Sequence, residues 1–166
     1  MFVLGIDPGL SRCGYGCVEA RPDGPRAVAI GVITTPASEP LPQRLAELQA
    51  ELRALLVELQ PQAVAVERVF FQNNVRTAMS VGQASGLAMA EAVAAGCEVV
   101  QYTPNQVKEA VTGHGAADKE MVQTMVQTLL RLPAPPRPAD AADAAALALC
   151  HLAYEPTRRA VARVAP

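Results

Sequence analysis

The apolar run Phe2, Val3, Leu4, Gly5, Ile6 ends on a carboxylate, Asp7, and the chain then turns at once through Pro8 and Gly9. A short apolar run closed by a Pro-Gly turn reads as a buried strand. A carboxylate at the end of such a strand costs solvation energy unless a partner or a metal ion balances it. The pattern recurs where Ala63, Val64, Ala65 and Val66 lead into Glu67. In open α/β sheets, sites gather outside the carboxyl ends of parallel strands. Two adjacent strands ending in Asp7 and Glu67 would therefore present both acids to one crevice.

The rest of the chain supplies a sheet of that kind. Residues 1–7, 12–21 and 26–35 read as three strands separated by "DPGLS" and "RPDGP", a meander of antiparallel neighbours. The period then changes: leucines at 41, 45, 48, 52, 55, 56 and 59 keep helical spacing until Pro61. Strands at 63–67 and 97–102 flank an Ala/Gly-rich helix at about 74–95, and helical segments follow at about 104–112, 118–131 and 139–153. The pattern predicts an α/β fold with a five-stranded mixed sheet, three antiparallel strands then two parallel, flanked by helices. One domain is expected over 1–154. Pro156 is expected to break the last helix and leave 155–166 as a flexible C-terminal tail.

An apolar content of 51% with 18% charged residues in 166 suits one globular core. The longest apolar stretches carry charges or are alanine-rich, and no basic segment leads into an apolar one at the N-terminus, so a cytoplasmic protein is expected. Cys13, Cys17, Cys97 and Cys150 lack the close spacing of a zinc site and the density of a disulfide scaffold, and read as reduced thiols. A net charge of −2 argues against a polyanion binder held by bulk charge.

Two further acids, Asp140 and Asp143, stand three apart in "PADAADAAALALCH" and so share one helix face. Like charges at that spacing weaken a helix. Ala139, Ala141, Ala142, Ala144, Ala145 and Ala146 surround them, leaving no bulky side chain to hold the helix away from a sheet. The aspartates can then meet Asp7 and Glu67. Four carboxylates without imidazole or thiolate partners select a hard divalent cation, Mg²⁺ or Mn²⁺. Two such ions, about 3.5–4 Å apart, would activate a water and stabilise the leaving oxygen of a phosphodiester.

The segments "GIDPGLSRCGYG", "VERVFFQNN", "GQASG", "NQVKEAVTGHGAADK" and "LPAPPRPADAADAAALA", in this order from residue 3 to about 150, resemble the RuvC Holliday junction resolvases. The resemblance implies a ribonuclease H-like fold and a dimeric, structure-specific endonuclease. Such an enzyme resolves four-way DNA junctions by paired, symmetric, metal-dependent hydrolysis in recombination and repair. It implies Asp7, Glu67, Asp140 and Asp143 as the catalytic and metal-binding set for two Mg²⁺ or Mn²⁺ ions per site. Lys108 and Lys119, the two lysines of the chain, match lysines beside the scissile phosphate, and Phe70 matches an aromatic that stacks on DNA. A branch-migration helicase complex of the RuvA and RuvB type is the implied partner.

Ala116 and Met121 depart from the family pattern, in which a serine and a glutamine are expected. His114 reads as a solvent-facing loop residue, and His151 as structural or surface. Setting the four site acids aside turns the net charge to +2, so the DNA-facing surface can be basic. Arg12, Arg76, Arg131 and Arg137 join the lysines as candidate phosphate contacts. Ala78, Gly82, Gly86 and Ala90 leave one helix face nearly bare. That face fits either a two-fold dimer or close packing inside the monomer. Actin-like ATPases and sugar kinases share the "GID" opening but need two such lobes, and 166 residues hold one. A junction-binding module without catalysis would predict a broken carboxylate set; all four acids are present.

Overall fold

The computed structural model describes residues 1–68 and 75–164. Its elements run β1 (Phe2–Asp7), β2 (Arg12–Glu19), β3 (Arg26–Thr34), α1 (Leu41–Leu59), β4 (Ala63–Glu67), α2 (Val75–Ala94), β5 (Glu98–Tyr102), α3 (Pro104–Thr112), α4 (Lys119–Leu129) and α5 (Ala139–Val164). The strands form one sheet in the order β3-β2-β1-β4-β5. The pairs β1–β2 and β2–β3 are antiparallel, and β1–β4 and β4–β5 are parallel. This is the mixed sheet the sequence predicts.

Strand β1 lies in the middle and is covered on both faces, which is why Val3, Leu4 and Ile6 are fully buried. Side-chain alternation sorts them. Leu4 and Ile6, with Val64 and Val66, pack against Leu48, Leu52 and Leu56 of α1 and Ala84 and Ala88 of α2. Val3 and Ala65 belong to the opposite layer, built with α3, α4 and α5. Asp7 has the parity of Val3, and Glu67 that of Ala65. Both acids therefore leave the sheet on the α5 side.

Helix α5 approaches that side of the sheet backbone to backbone. In the β1–β2 register Gly5 faces Gly16 and Asp7 faces Gly14. A Cβ on Gly5 would overlap the Ala144 carbonyl oxygen, one on Gly14 the Asp140 carbonyl oxygen, and one on Gly16 would stand 2.7 Å from the Ala145 Cα. Ala141, Ala144, Ala145 and Ala148 have no exposed surface. Glycines below and alanines above thus remove the side-chain layer that normally separates a helix from a sheet.

The helix predicted to stop near residue 153 instead continues through Pro156 to Val164. Proline cannot donate to the carbonyl four residues back, but Arg158 offsets that loss by pairing with Glu98 at the start of β5 and with Glu155. His151, one turn earlier, is fully buried. Its Nδ1 lies 3.1 Å from the Tyr102 hydroxyl and its Nε2 3.5 Å from Glu155 Oε2, so its role is structural. The four cysteines are free thiols, as expected.

Among the described residues, nothing packs on the Gly82 and Gly86 part of the small-residue stripe of α2. Ala84, Ala88 and Ala92 face the core, whereas Gly82, Gly86 and Ala90 are exposed. A Cβ at Gly82 or Gly86 would meet none of the described residues within 4 Å. Exposed Met79 and Val93 stand on the same helix. Among the described residues no helix is long and apolar enough to cross a membrane.

Candidate active site

The cleft lies at the carboxyl ends of β1, β4 and β5, and local capping positions its walls. Thr103 caps α3 directly after β5: its hydroxyl accepts from the Gln106 N–H at 3.2 Å, and Gln106 Oε1 accepts from the Thr103 N–H at 2.9 Å. This capping box starts α3 at the sheet edge and turns Lys108 toward the cleft. Asp118 caps α4 by accepting from the Met121 N–H at 2.8 Å. Lys119 becomes the first residue of that helix.

Asp7, Glu67, Lys108, Lys119 and Asp143 line one cavity of about 270 Å³, with Val107, Val122 and Leu147 as its apolar wall. Lys119 Nζ donates to Asp143 Oδ2 at 2.7 Å. Asp140, one turn earlier on α5, lies outside that lining, and Arg12 Nε stands 3.3 Å from its Oδ2. Asp7 is pushed from 3.8 up to about 7, chiefly by burial and then by repulsion from Glu67, Asp143 and Asp140, with Lys119 opposing. Burial and Asp143 also raise Glu67. The hydrogen bond to Asp143 holds Lys119 above the ordinary lysine range.

Crowded, partly desolvated carboxylates of this kind hold negative charge that a hard divalent cation would relieve. The donor set therefore fits Mg²⁺ or Mn²⁺. A second group of ligand-type side chains, Glu98, His151 and Glu155, has its ligand atoms within 4.8 Å of one another. Arg158 bridges both of its carboxylates, so a cation is already built in there.

The structure brings together Asp7, Glu67, Asp143, Lys108 and Lys119, and places Asp140 and Arg12 beside them. Phe70 lies outside the described residues, as does the side chain of Arg76, whose position falls in the first turn of α2. Arg131 Nη2 donates to the Asp23 carbonyl at 2.8 Å and clasps the β2–β3 turn. Arg137 and His114 are exposed.

Two contributors are absent from the sequence reading. The glycine floor under α5 had a signal, glycine at 5, 14 and 16 inside strand patterns, where it marks close backbone approach. Arg44 had none: it reaches from α1 to the Ser11 hydroxyl at 2.6 Å and to Thr35 Oγ1 at 3.0 Å, tying down the turn after Asp7.

A β3-β2-β1-β4-β5 sheet with acids closing the parallel strands β1 and β4, and a helix bearing Asp140 and Asp143 laid across them, is the architecture of a ribonuclease H-like nuclease. Residues 3–151 match the family described as crossover junction endodeoxyribonuclease RuvC. The chain is 54% identical over 166 residues to a protein of that name from Salinispora arenicola (strain CNS-205), covering 99% of this chain and 95% of the relative. It is 49% identical over 165 residues to one from Moorella thermoacetica (strain ATCC 39073 / JCM 9320), covering 99% of each. The chain belongs to the RuvC family of crossover junction endodeoxyribonucleases.

Solved structures agree. Thermus thermophilus RuvC in complex with Holliday junction substrate superposes with a TM-score of 0.90 at 40% identity, over 95% of this chain and 96% of that one. The yeast mitochondrial Holliday junction resolvase Ydc2, at 15% identity and a TM-score of 0.67 over 95% of this chain and 81% of that one, shares the fold.

Proposed function

We propose that this protein is a metal-dependent endonuclease that resolves four-way DNA junctions by paired, symmetric phosphodiester hydrolysis. The observation that carries the reading is the convergence of Asp7, Glu67 and Asp143 with two lysines in one cleft, beside Asp140 on the same helix face as Asp143. These four acids would hold divalent ions, which when bound would supply an activated water and stabilisation of the leaving oxygen.

The remaining chemistry belongs to the chain. Lys119 and Lys108 place positive charge where the phosphate's charge develops, in a cleft whose apolar wall strengthens their field. Asp143 keeps Lys119 in place until the substrate arrives. Arg12, Arg76 and the lysines contact backbone phosphates, and Phe70 stacks on a base near the junction centre. The bare face of α2 is the dimer surface, supported by its exposure and by the open space over Gly82 and Gly86. A two-fold dimer matches the two strands that a symmetric junction offers for cutting.

The test is a nicking assay on synthetic mobile and fixed four-way junctions with Mg²⁺, with Mn²⁺ and with EDTA. Asp7→Asn, Glu67→Gln and Asp143→Asn are expected to lose nearly all cleavage and to retain junction binding, which rests on phosphate contacts elsewhere. Parallel loss of binding and cleavage would make these acids structural instead.

A further inference from the structure

Arg12 opens β2, and its guanidinium stands on Asp140 although 61% of its side chain is exposed. An exposed arginine on a free tether gains little from such a pair, because holding both side chains costs entropy. The tether here is not free. The Ser11 carbonyl accepts from the Thr35 N–H at 3.3 Å, the Ser11 hydroxyl accepts from Arg44 Nη2 at 2.6 Å, and Thr35 Oγ1 donates to the Leu10 carbonyl at 2.6 Å. The turn leading into Arg12 is thereby fixed to the end of β3 and to α1, and the base of the side chain is held beside α5.

The two aspartates of α5 each carry a cation, Arg12 on Asp140 and Lys119 on Asp143. Among the described residues Asp7 and Glu67 have no ion pair. A divalent ion taken up by Asp140 would stand within a few ångströms of the Arg12 guanidinium and repel it outward. With 61% of its side chain exposed, the guanidinium can swing to the solvent side, where the backbone of a bound DNA strand carries its phosphates.

We propose that Arg12 is an exchange group: it occupies Asp140 as a substitute cation in the free protein, and it passes to a junction phosphate when a divalent ion takes that carboxylate. The inference rests on the four-carboxylate reading above. Arg12 acts on the reaction through Asp140, as a positioning residue that couples metal uptake to DNA binding. By linkage each partner then strengthens the other.

The experiment is calorimetric titration of Mn²⁺ into the full-length native protein and its Arg12→Ala, Arg12→Lys and Asp7→Asn variants without DNA. It is read beside stopped-flow binding of a fluorescent junction in Mn²⁺, before turnover. Arg12→Ala is expected to bind Mn²⁺ about 3- to 10-fold more tightly, since a like charge has been removed from the site. It is also expected to bind the junction more weakly, with a salt-dependence slope smaller by about one. Arg12→Lys keeps the charge and stays near the native values. Unchanged or weaker Mn²⁺ binding by Arg12→Ala, or a native salt slope, overturns the exchange. Native Mn²⁺ affinity in Asp7→Asn would instead remove the four-carboxylate reading beneath it.

Discussion

Lys119 and Asp143 meet at 2.7 Å across the gap between α4 and α5. The contact is possible because Asp118 caps α4 and sets Lys119 at its first turn, while the alanines of α5 and the glycines of β1 and β2 bring Asp143 down onto the sheet. Asp143 is thus charge-matched, whereas the ionised form of Asp7 is destabilised first by burial and then by Glu67, Asp143 and Asp140. The two behave differently when altered.

Lys119→Ala tests the proposed role of this cleft cation at the reacting phosphate. The loss falls on the transition state, where charge is greatest, so single-turnover cleavage is expected to drop about 100-fold. Junction affinity, spread over many phosphates, should change much less. Rapid-quench cleavage measured beside a binding titration separates the two, and an equal loss in both would assign Lys119 to binding alone.

Asp7 makes the metal-free protein sensitive to pH. Its native value is raised from 3.8 to about 7, so between these limits the folded state holds a proton that the unfolded chain has released. Stability therefore falls as pH rises through this window, by up to about 4 kcal/mol at roughly 1.4 kcal/mol per unit. Asp7→Asn cannot ionise and escapes the loss. In EDTA its melting temperature should exceed the native one above pH 7, with the gap closing toward pH 4. The variant gains stability and loses cleavage together, the mark of a site acid rather than a structural one.

Gly5→Ala tests the close approach of α5. The added methyl has no room beside the Ala144 carbonyl, so helix and sheet must separate, at a cost of about 3 kcal/mol. Thermal unfolding should show the loss. Cleavage by the folded fraction should fall as well, because Asp140 and Asp143 move with the helix. Normal cleavage by a destabilised Gly5→Ala would mean that the acids tolerate the displacement.

Much of the candidate site is legible in the sequence. Asp7 and Glu67 each interrupt a strand pattern at its end, and parity along a strand is a local property that survives folding. Asp140 and Asp143 were marked by the alanines around them. What stayed hidden depends on distant contacts. The Arg12–Asp140 and Lys119–Asp143 pairs join residues far apart in the chain, and nothing local in "SRCG" or "ADKE" announces them. Local preference ends the last helix before Pro156, whereas Arg158 reaches across to Glu98 and holds the extra turns. His151 reads from the sequence as structural or surface, and only the distant Tyr102 hydroxyl against its ring makes it structural.

The exposed stripe on α2 gives the last prediction. Gly82→Ala and Gly86→Leu both add side chains where the monomer has open space, so neither disturbs the packing of Ala84, Ala88 and Ala92. Within a monomer Gly82→Ala should stabilise slightly, since alanine is favoured over glycine in a helix by about 1 kcal/mol. A dimer formed by close crossing of two such helices reverses the outcome for Gly86→Leu: the bulky side chain holds the helices apart and yields a folded monomer with an intact cleft. Sedimentation should then show the native chain at twice the mass of the variant. On a plasmid-borne cruciform the native protein should give linear product from two closely spaced nicks, and the variant nicked circles. A dimeric Gly86→Leu with normal paired cutting would place the interface on another face and leave the stripe as unpartnered helix surface.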